Sequence, residues 1–209
     1  LEAARIEAKV LYMAQEAFSP LPMINELLAD ARPNCEIRKL HLGLLEFPDD
    51  IMIRGDAHHL KRAFGRLMEN AMKFTPEGGR IQITGRILQQ QEVFALSEKL
   101  RTFSESFFEG VLSESYLQIS ISDSGIGLEL EDQIRIFDKF QEVGDISEHS
   151  TSQARFGGKG VGLGLALAKG IIETHEGLVW VESAGPSQGS CFSALLPLTS
   201  REEGRYVLG

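Results

Sequence analysis

A helix with one apolar side dominates the first half of the sequence. Between residues 56 and 74 the apolar side chains recur at intervals of four, three, four and three residues, at Leu60, Phe64, Leu67, Ala71 and Phe74. That spacing follows the 3.6-residue period of an α-helix and places all of them on one side. Asp56 stands at the N-cap position, and "TPEGG" (75–79) ends the helix. Such a helix must bury its apolar side against another layer of the fold.

The second layer is predicted to be a β-sheet, because strand-like patterns lie on both sides of this helix. Strands are expected at 36–44 and 51–55, around the turn signal "FPDD", and at 80–87, 116–123, 178–183 and 191–198. Further helices are expected at 3–17, which Pro20 and Pro22 stop, at 23–31, which ends before Pro33, and from about 160 to 175. Helices and strands do not alternate strictly, which favours helices layered on one face of a mixed sheet.

Composition limits the classes of function. A chain of 209 residues, 43% of them apolar, is long enough for one domain with a sizeable core. A formal net charge of −9 argues against broad nucleic-acid binding. No apolar run approaches the roughly 20 residues that span a bilayer, and no signal peptide opens the chain. The chain starts without methionine, so we expect it to be a fragment of a larger protein. A membrane segment upstream of this fragment is compatible with the sequence. Cys35 and Cys191 are predicted to be buried thiols in a reducing compartment.

The polar flank of the 56–74 helix contains residues suited to a nucleotide. Arg66, Asn70 and Lys73 cluster there at helical spacing. The side-chain carbonyl of Asn70 suits Mg²⁺, and the ammonium group of Lys73 suits a phosphate oxygen. Glu69 lies beside them and is placed to orient water or a hydroxyl group. A solvated helix face is the alternative interpretation.

The stretch "DSGIG" (123–127) ends a predicted strand with a carboxylate. A carboxylate at the end of a buried strand needs a hydrogen-bond donor, and the exocyclic amine of adenine is one. Gly125 and Gly127 would let the backbone pass close under a flat ring. An aspartate in an ordinary strand-to-helix turn is the alternative.

Three glycines, Gly160, Gly162 and Gly164, open the last predicted helix within "GGKGVGLGLALAKG" (157–170). Each costs roughly 1 kcal/mol against alanine in a helix, so we expect something to approach the backbone there. The free N–H groups of a helix N-terminus form an anion site, here for a triphosphate. The string does not follow a strand and lacks the Lys-Ser/Thr ending of a P-loop.

The stretch "IFDKF" (136–140) places Phe137 and Phe140 three residues apart. Aromatic residues at this spacing usually belong to a core. Here they precede a polar, glycine-bounded stretch at 144–158, where a mobile lid could be hinged.

In order and spacing, these stretches resemble the N, G1, F and G2 boxes of the catalytic ATP-binding domain of sensor histidine kinases, which belongs to the GHKL group with DNA gyrase. The matching segments are "FGRLMENAMKFTP", "DSGIG", "IFDKF" and "GKGVGLGLALAKGIIETHEG", and "VESAGPSQGSCFSALLPL" is similar to the closing hairpin. The resemblance covers roughly 20–198. It implies the Bergerat fold, an α+β two-layer sandwich whose mixed, mostly antiparallel sheet is covered on one face by about three helices.

The resemblance implies a site for ATP and Mg²⁺. Asp123 would accept a hydrogen bond from the adenine amino group, and Asn70 would ligate Mg²⁺ between the phosphates. Lys73 would contact phosphate, and Glu69 would assist the phosphoryl acceptor. The other residues expected to bind the nucleotide are Gly125, Ile126, Gly127, Phe140, Lys159, Gly160, Val161, Gly162, Leu163 and Gly164.

The resemblance also implies a domain organisation. Residues 1–19 would end a dimerisation and phosphoacceptor helical region, 20–198 would form the ATP-binding domain with its lid at 141–159, and 199–209 would be a tail or linker. The expected partners are that helical domain, the receiver domain of a response regulator and, in the full-length protein, a second copy. The domain is expected in the cytoplasm, and no histidine of the chain lies in the family's "H-E/D-x-x-x-P" acceptor setting.

Two features depart from the family pattern. Arg66 stands where many members carry a second asparagine, and its cation would either reach phosphate or weaken Mg²⁺ binding. The stretch 88–115 is longer than usual, and a helical stripe runs through Val93, Leu96, Leu100, Phe103 and Phe107. It is either a helix packed on the domain's own sheet edge or a docking surface.

Two alternative functions stay open. Arg66 favours a degenerate nucleotide-sensing or scaffolding module without kinase activity. Another GHKL enzyme, such as a serine kinase or a gyrase-type ATPase, is less favoured, because the helix at 1–18 and the phenylalanine pair argue against it.

Overall fold

The computed structural model describes residues 15–110, 112–138 and 163–199. Its strands and helices, in chain order, are β1 (Glu16–Phe18), α1 (Pro20–Ile37), β2 (His41–Leu44), β3 (Ile53–Gly55), α2 (Ala57–Phe74), β4 (Arg80–Gln89), α3 (Gln90–Ala95), α4 (Ser97–Leu100), β5 (Ser115–Asp123), α5 (Leu130–Arg135), α6 (Gly164–Thr174), β6 (Leu178–Glu182) and β7 (Ser190–Pro197). A 3₁₀ turn spans Ser106–Phe108. Within these described ranges, no helix has both the length and the apolar character needed to cross a bilayer.

The main sheet has five strands in the order β2-β4-β5-β7-β6. The pair β2 and β4 is parallel, and the other neighbouring pairs are antiparallel. Strands β1 and β3 form a separate antiparallel pair. Helices α1, α2 and α6 pack on one face of the main sheet through a single apolar core. This arrangement confirms the predicted two-layer α+β sandwich with a mixed, mostly antiparallel sheet.

The apolar side of α2 forms the centre of that core. Four members of its predicted stripe are completely buried, namely Leu60, Phe64, Leu67 and Ala71. The fifth, Phe74, is half-buried at the end of the helix. At the other end, the His59 N–H donates to the Asp56 carboxylate at 2.9 Å, which confirms the predicted N-cap. The helix is thereby held against the sheet along its whole length.

The N-terminal elements differ from the prediction. Residues 16–18 form β1 and not the end of a helix at 3–17, most of which lies outside the described residues. The prolines do not bound the next helix, which runs from 20 to 37 instead of 23 to 31. Pro20 and Pro22 lie in its first turn, where the backbone N–H has no helical partner. Burial of the α1 side chains in the core outweighs the backbone hydrogen bond that Pro33 removes.

The strands predicted at 36–44 and 51–55 are shorter than expected. Residues 36–37 complete α1, so β2 spans only 41–44, and β3 spans 53–55. Strand β2 pairs with β4, whereas β3 pairs with β1. The "FPDD" turn therefore connects strands of two different sheets.

The stretch 88–115 packs on the second face of the main sheet. Its buried side chains and those of the strands beneath form a separate cluster of Leu88, Val93, Leu100, Tyr116, Leu178, Trp180 and Leu195. The predicted helical stripe is divided, because α3 ends before Leu96 and α4 begins after it. Phe103 contacts both this cluster and the main core. The stretch therefore packs on its own domain's sheet, as one of the two predictions had it. It covers a face of the sheet, whereas the prediction placed it at the edge.

The two cysteines are both free thiols in different surroundings. Cys35 is buried in the main core, as predicted. Cys191 is only partly buried on β7, so the prediction of two buried thiols holds for one of them.

Candidate functional site

A pocket opens between the C-terminal half of α2 and the loop that follows β5. Its lining consists of Asn70, Phe74, Asp123, Ile126, Gly127, Leu128, Ile136 and Ser190. The pocket forms where β5 and β7 end side by side, since Asp123 is paired with Ser190. Four residues predicted from the sequence line it together: Asn70, Asp123, Ile126 and Gly127.

Among the described residues that line the pocket, Asp123 is the only acidic one, and it is anchored by backbone donors. The Gly125 N–H donates to Oδ1 at 2.7 Å, and the Ser190 N–H donates to the same oxygen at 3.3 Å. Burial raises the pKa of the carboxyl group, and the two N–H donors lower it by less. Both donors bind Oδ1, so within the described part of the chain the second oxygen has no donor and can accept a hydrogen bond from a molecule in the pocket.

The glycines of "DSGIG" are required by close packing around this carboxylate. A Cβ atom at Gly125 would lie 2.6 Å from Oδ1 of Asp123 and equally near the carbonyl oxygen of Phe74. Gly127 has a φ of +70° and would overlap the carbonyl oxygen of Gly185 if it carried a side chain. These glycines let the loop fold tightly enough to aim Asp123 into the pocket.

The polar flank of α2 approaches the pocket from one side. Asn70 belongs to the lining, while Lys73 is exposed with its Nζ atom 5.0 Å from the centre of the Phe74 ring. Nη1 of Arg66 lies 2.7 Å from Oε2 of Glu69, and both side chains are exposed. The structure therefore brings Asn70 into the pocket wall and leaves Lys73, Glu69 and Arg66 on the neighbouring surface of the helix.

Helix α6 begins at Gly164, directly after Leu163. Its first residue lies next to α2, because a Cβ atom at Gly164 would be 3.7 Å from Cδ of Arg66. The N-terminal N–H groups of a helix have no acceptor within it and suit an anion. The predicted site residues Phe140, Lys159, Gly160, Val161 and Gly162, and the lid predicted at 141–159, lie outside the described residues.

Four lining residues were missed by the sequence analysis. Phe74 was assigned to the core stripe, although its half-buried position at the helix end was a usable signal. Leu128 and Ile136 are buried and supply apolar walls on either side of α5. Ser190 is 67 residues from Asp123 along the chain, and only the pairing of β5 with β7 brings the two together.

Of the two aromatic residues in "IFDKF", the structure describes Phe137. Phe137 is buried, and its ring lies 6.1 Å from that of Phe192 in an edge-to-face arrangement. Phe137 therefore belongs to the core behind the pocket, and its neighbour Ile136 lines the pocket.

The donor set fits a metal ion that arrives with a nucleotide. Among the described residues, no group of three or more His, Cys, Asp or Glu side chains is placed to hold a metal ion. The pocket offers the neutral amide oxygen of Asn70. Mg²⁺ usually takes one or two protein oxygens and completes its shell with phosphates and water. One amide oxygen is within that requirement.

A mixed sheet under three helices, with a strand-end aspartate and a glycine loop closing an apolar pocket, defines the class of ATP-binding domains predicted from the four motifs. The family model for the histidine kinase-, DNA gyrase B- and HSP90-like ATPases matches residues 55–200, and the chain belongs to this family. Curated proteins that match the chain are named as sensory kinases.

Two curated relatives illustrate the match. The adaptive-response sensory kinase SasA of Thermosynechococcus vestitus is 31% identical over 179 residues, which are 85% of this chain and 38% of SasA. The sensor histidine kinase RcsC of Escherichia coli K12 is 28% identical over 199 residues, 95% of this chain and 17% of RcsC. The chain thus spans well under half the length of these relatives.

Solved structures show the same fold. The mycobacterial sensor histidine kinase MprB superposes with a TM-score of 0.63 at 20% identity, covering 88% of this chain and 98% of the MprB chain. Full-length ShkA in complex with AMPPNP superposes with a TM-score of 0.68 at 18% identity, covering 94% of this chain and 34% of ShkA.

Proposed function

We propose that this chain binds Mg-ATP and transfers the γ-phosphoryl group to a histidine on a separate helical domain of a sensor histidine kinase. One observation carries the proposal. The Asp123 carboxylate is partly buried in the wall of an apolar pocket, and one of its oxygens accepts from two backbone N–H groups. A partly buried carboxylate whose second oxygen has no donor among the described residues is matched by a ligand with an amino group.

The chemistry of the lining supports adenine as the base. Ile126, Leu128 and Ile136 provide apolar walls for a flat ring. The second oxygen of Asp123 would accept from the 6-amino group. Guanine carries a carbonyl at that position and would set one acceptor against another, so the site should prefer ATP to GTP.

The triphosphate would extend from the pocket towards α2 and the start of α6. Asn70 is the residue that would hold Mg²⁺, which when bound neutralises charge between the phosphates. Lys73 would contact phosphate as a point charge, and Glu69 would assist the acceptor histidine. This local arrangement would let a chain with a net charge of −9 bind a polyanion. Lys159 and the glycines at 160, 162 and 164 would surround the phosphates.

The partners follow from the same proposal. Residues 1–19 would belong to the dimerisation helices that carry the acceptor histidine, 20–198 would form the catalytic domain, and 199–209 would be a tail or linker. The full-length protein would act as a cytoplasmic-facing homodimer and pass its phosphoryl group to a response regulator receiver domain.

Calorimetric titration of the chain with Mg-ATP and Mg-GTP tests the nucleotide site. Asp123→Ala should weaken ATP binding by about tenfold or more, because a hydrogen bond to a charged acceptor is lost. The control Asp30→Ala, which alters an exposed aspartate on α1 paired with Lys61, should bind as the parent does. An unchanged affinity in Asp123→Ala, or no binding by the parent, would refute the proposal.

Phosphotransfer requires a second assay. The chain and a separately purified dimerisation domain with its acceptor histidine are incubated with radiolabelled ATP, and label on the acceptor is counted. Label that depends on Mg²⁺ and disappears in Asn70→Ala supports the kinase. Tight ATP binding without any transfer would favour the nucleotide-sensing module instead.

A further inference from the structure

Arg66 lies where two elements of the proposed nucleotide site meet. It precedes Asn70 by one turn of α2, and its side chain lies beside Gly164, the first residue of α6. We propose that Arg66 binds the phosphate tail of the nucleotide, and that it leaves its ion pair with Glu69 to do so. This inference rests on the proposed function, because it assigns a ligand to the same site.

The surroundings of Arg66 call for an anion. The start of a helix carries a partial positive charge, and the Cδ atom of Arg66 lies close to the start of α6, so negative charge near both is favoured. Glu69 supplies one such charge, at 2.7 Å from Nη1. A phosphate group at the start of α6 would contact both the guanidinium and the helix N–H groups. Arg66 would then supply positive charge to that phosphate group.

The ion pair with Glu69 is of the kind that is easily exchanged. Its two side chains are 42% and 60% exposed and lie three residues apart on one helix. Exposed pairs of this type contribute little to stability, since water screens them and both side chains lose freedom. A guanidinium group binds phosphate through two parallel N–H groups, which is a stronger and more specific contact. Nucleotide binding should therefore draw Arg66 away from Glu69 and free that carboxylate.

Titrations with adenosine, Mg-ADP and Mg-ATP separate this role from a structural one. Arg66→Gln should weaken Mg-ATP binding by about tenfold and leave adenosine binding unchanged, because only the phosphates touch the lost charge. The matched control is Arg62→Gln, which removes the same charge from an exposed site one turn earlier on α2. Equal ATP affinities in the two variants, or a parallel loss of adenosine binding in Arg66→Gln, would overturn the proposal.

A double-mutant cycle tests the exchange itself. Glu69→Gln should tighten Mg-ATP binding more in the parent than in the Arg66→Gln background. The direct repulsion between Glu69 and phosphate is present in both backgrounds and cancels, so the difference reports the released guanidinium. Identical effects in both backgrounds would show that the ion pair does not compete with phosphate.

The Asp123→Ala variant keeps the two levels of the argument apart. It should weaken adenosine, ADP and ATP alike, because it acts on the base. If Asp123→Ala loses binding while Arg66→Gln does not, only the role of Arg66 fails. If Asp123→Ala binds normally, the proposed function fails with it.

Discussion

His175 links the end of α6 to the start of α2, the helix that carries Asn70, and its ionisation should be visible in the stability of the domain. The residue is only 3% exposed and follows the last turn of α6. Its Nδ1 atom lies 2.7 Å from the Ile171 carbonyl oxygen, and the Asp56 N–H donates to Nε2 at 3.0 Å. Together these contacts require a neutral imidazole with its proton on Nδ1. Protonation of Nε2 would set a donor against the N–H at the N-cap of α2.

The pH dependence follows from these contacts. Burial lowers the pKa of His175 below its usual 6.5, and the nearby His59 lowers it further. The Ile171 carbonyl and the Asp56 carboxylate act in the opposite direction and do not offset burial. As the pH falls below the pKa of this histidine in the unfolded chain, the unfolded state binds a proton and the folded state does not. The free energy of unfolding therefore decreases. The loss between pH 7.5 and 5.5 reaches at most about 1.4 kcal/mol, the value for a histidine that never protonates in the fold.

The perturbation is His175→Gln, which cannot titrate, and the assay is urea unfolding at pH 7.5 and 5.5. At pH 7.5 the variant should be less stable than the parent by about 1–3 kcal/mol, because buried hydrogen bonds are lost. At pH 5.5 this difference should be smaller, by up to about 1.4 kcal/mol. The exposed His58→Gln on α2 should follow the parent at both pH values. Parallel losses in the parent and His175→Gln would refute the reasoning.

Three further predictions concern packing. Gly127→Ala should lower the free energy of unfolding by about 1–3 kcal/mol and weaken ATP binding, because φ is +70° and the new Cβ meets the Gly185 carbonyl; a protein with parental stability would contradict this. Arg38→Ala should cost about 1–3 kcal/mol in urea unfolding, since the guanidinium group donates to two carbonyls at the end of α2. Leu100→Ala should lower the free energy of unfolding by about 2–5 kcal/mol, because this side chain is fully buried on the second face of the sheet. Phe94→Ala, at an exposed position, should change the melting temperature little. Equal effects of the two variants would be inconsistent with that packing.

The features that the sequence determined by itself are those carried by local patterns. The stripe of α2 and its Asp56 cap follow from residues within five turns of one helix, and each was found where it was predicted. The long strands β4 and β5 likewise follow from local apolar and polar alternation. The "DSGIG" stretch joined a carboxylate to two glycines, and three of its five residues line the pocket.

Only the tertiary structure decided which distant segments meet. Pro33 lies inside α1 because the helix buries one side in the core, a contribution that no local rule for proline contains. The stretch 88–115 covers the second face of the sheet because its apolar side chains pack against those of β5, β6 and β7. Ser190 enters the pocket through strand pairing, and Arg66 reaches Gly164 through helix packing. Periodicity is a property of neighbouring residues. Ser190, in contrast, lies 67 positions from Asp123, and Gly164 lies nearly a hundred positions from Arg66. The energies of such contacts appear only when the chain is folded.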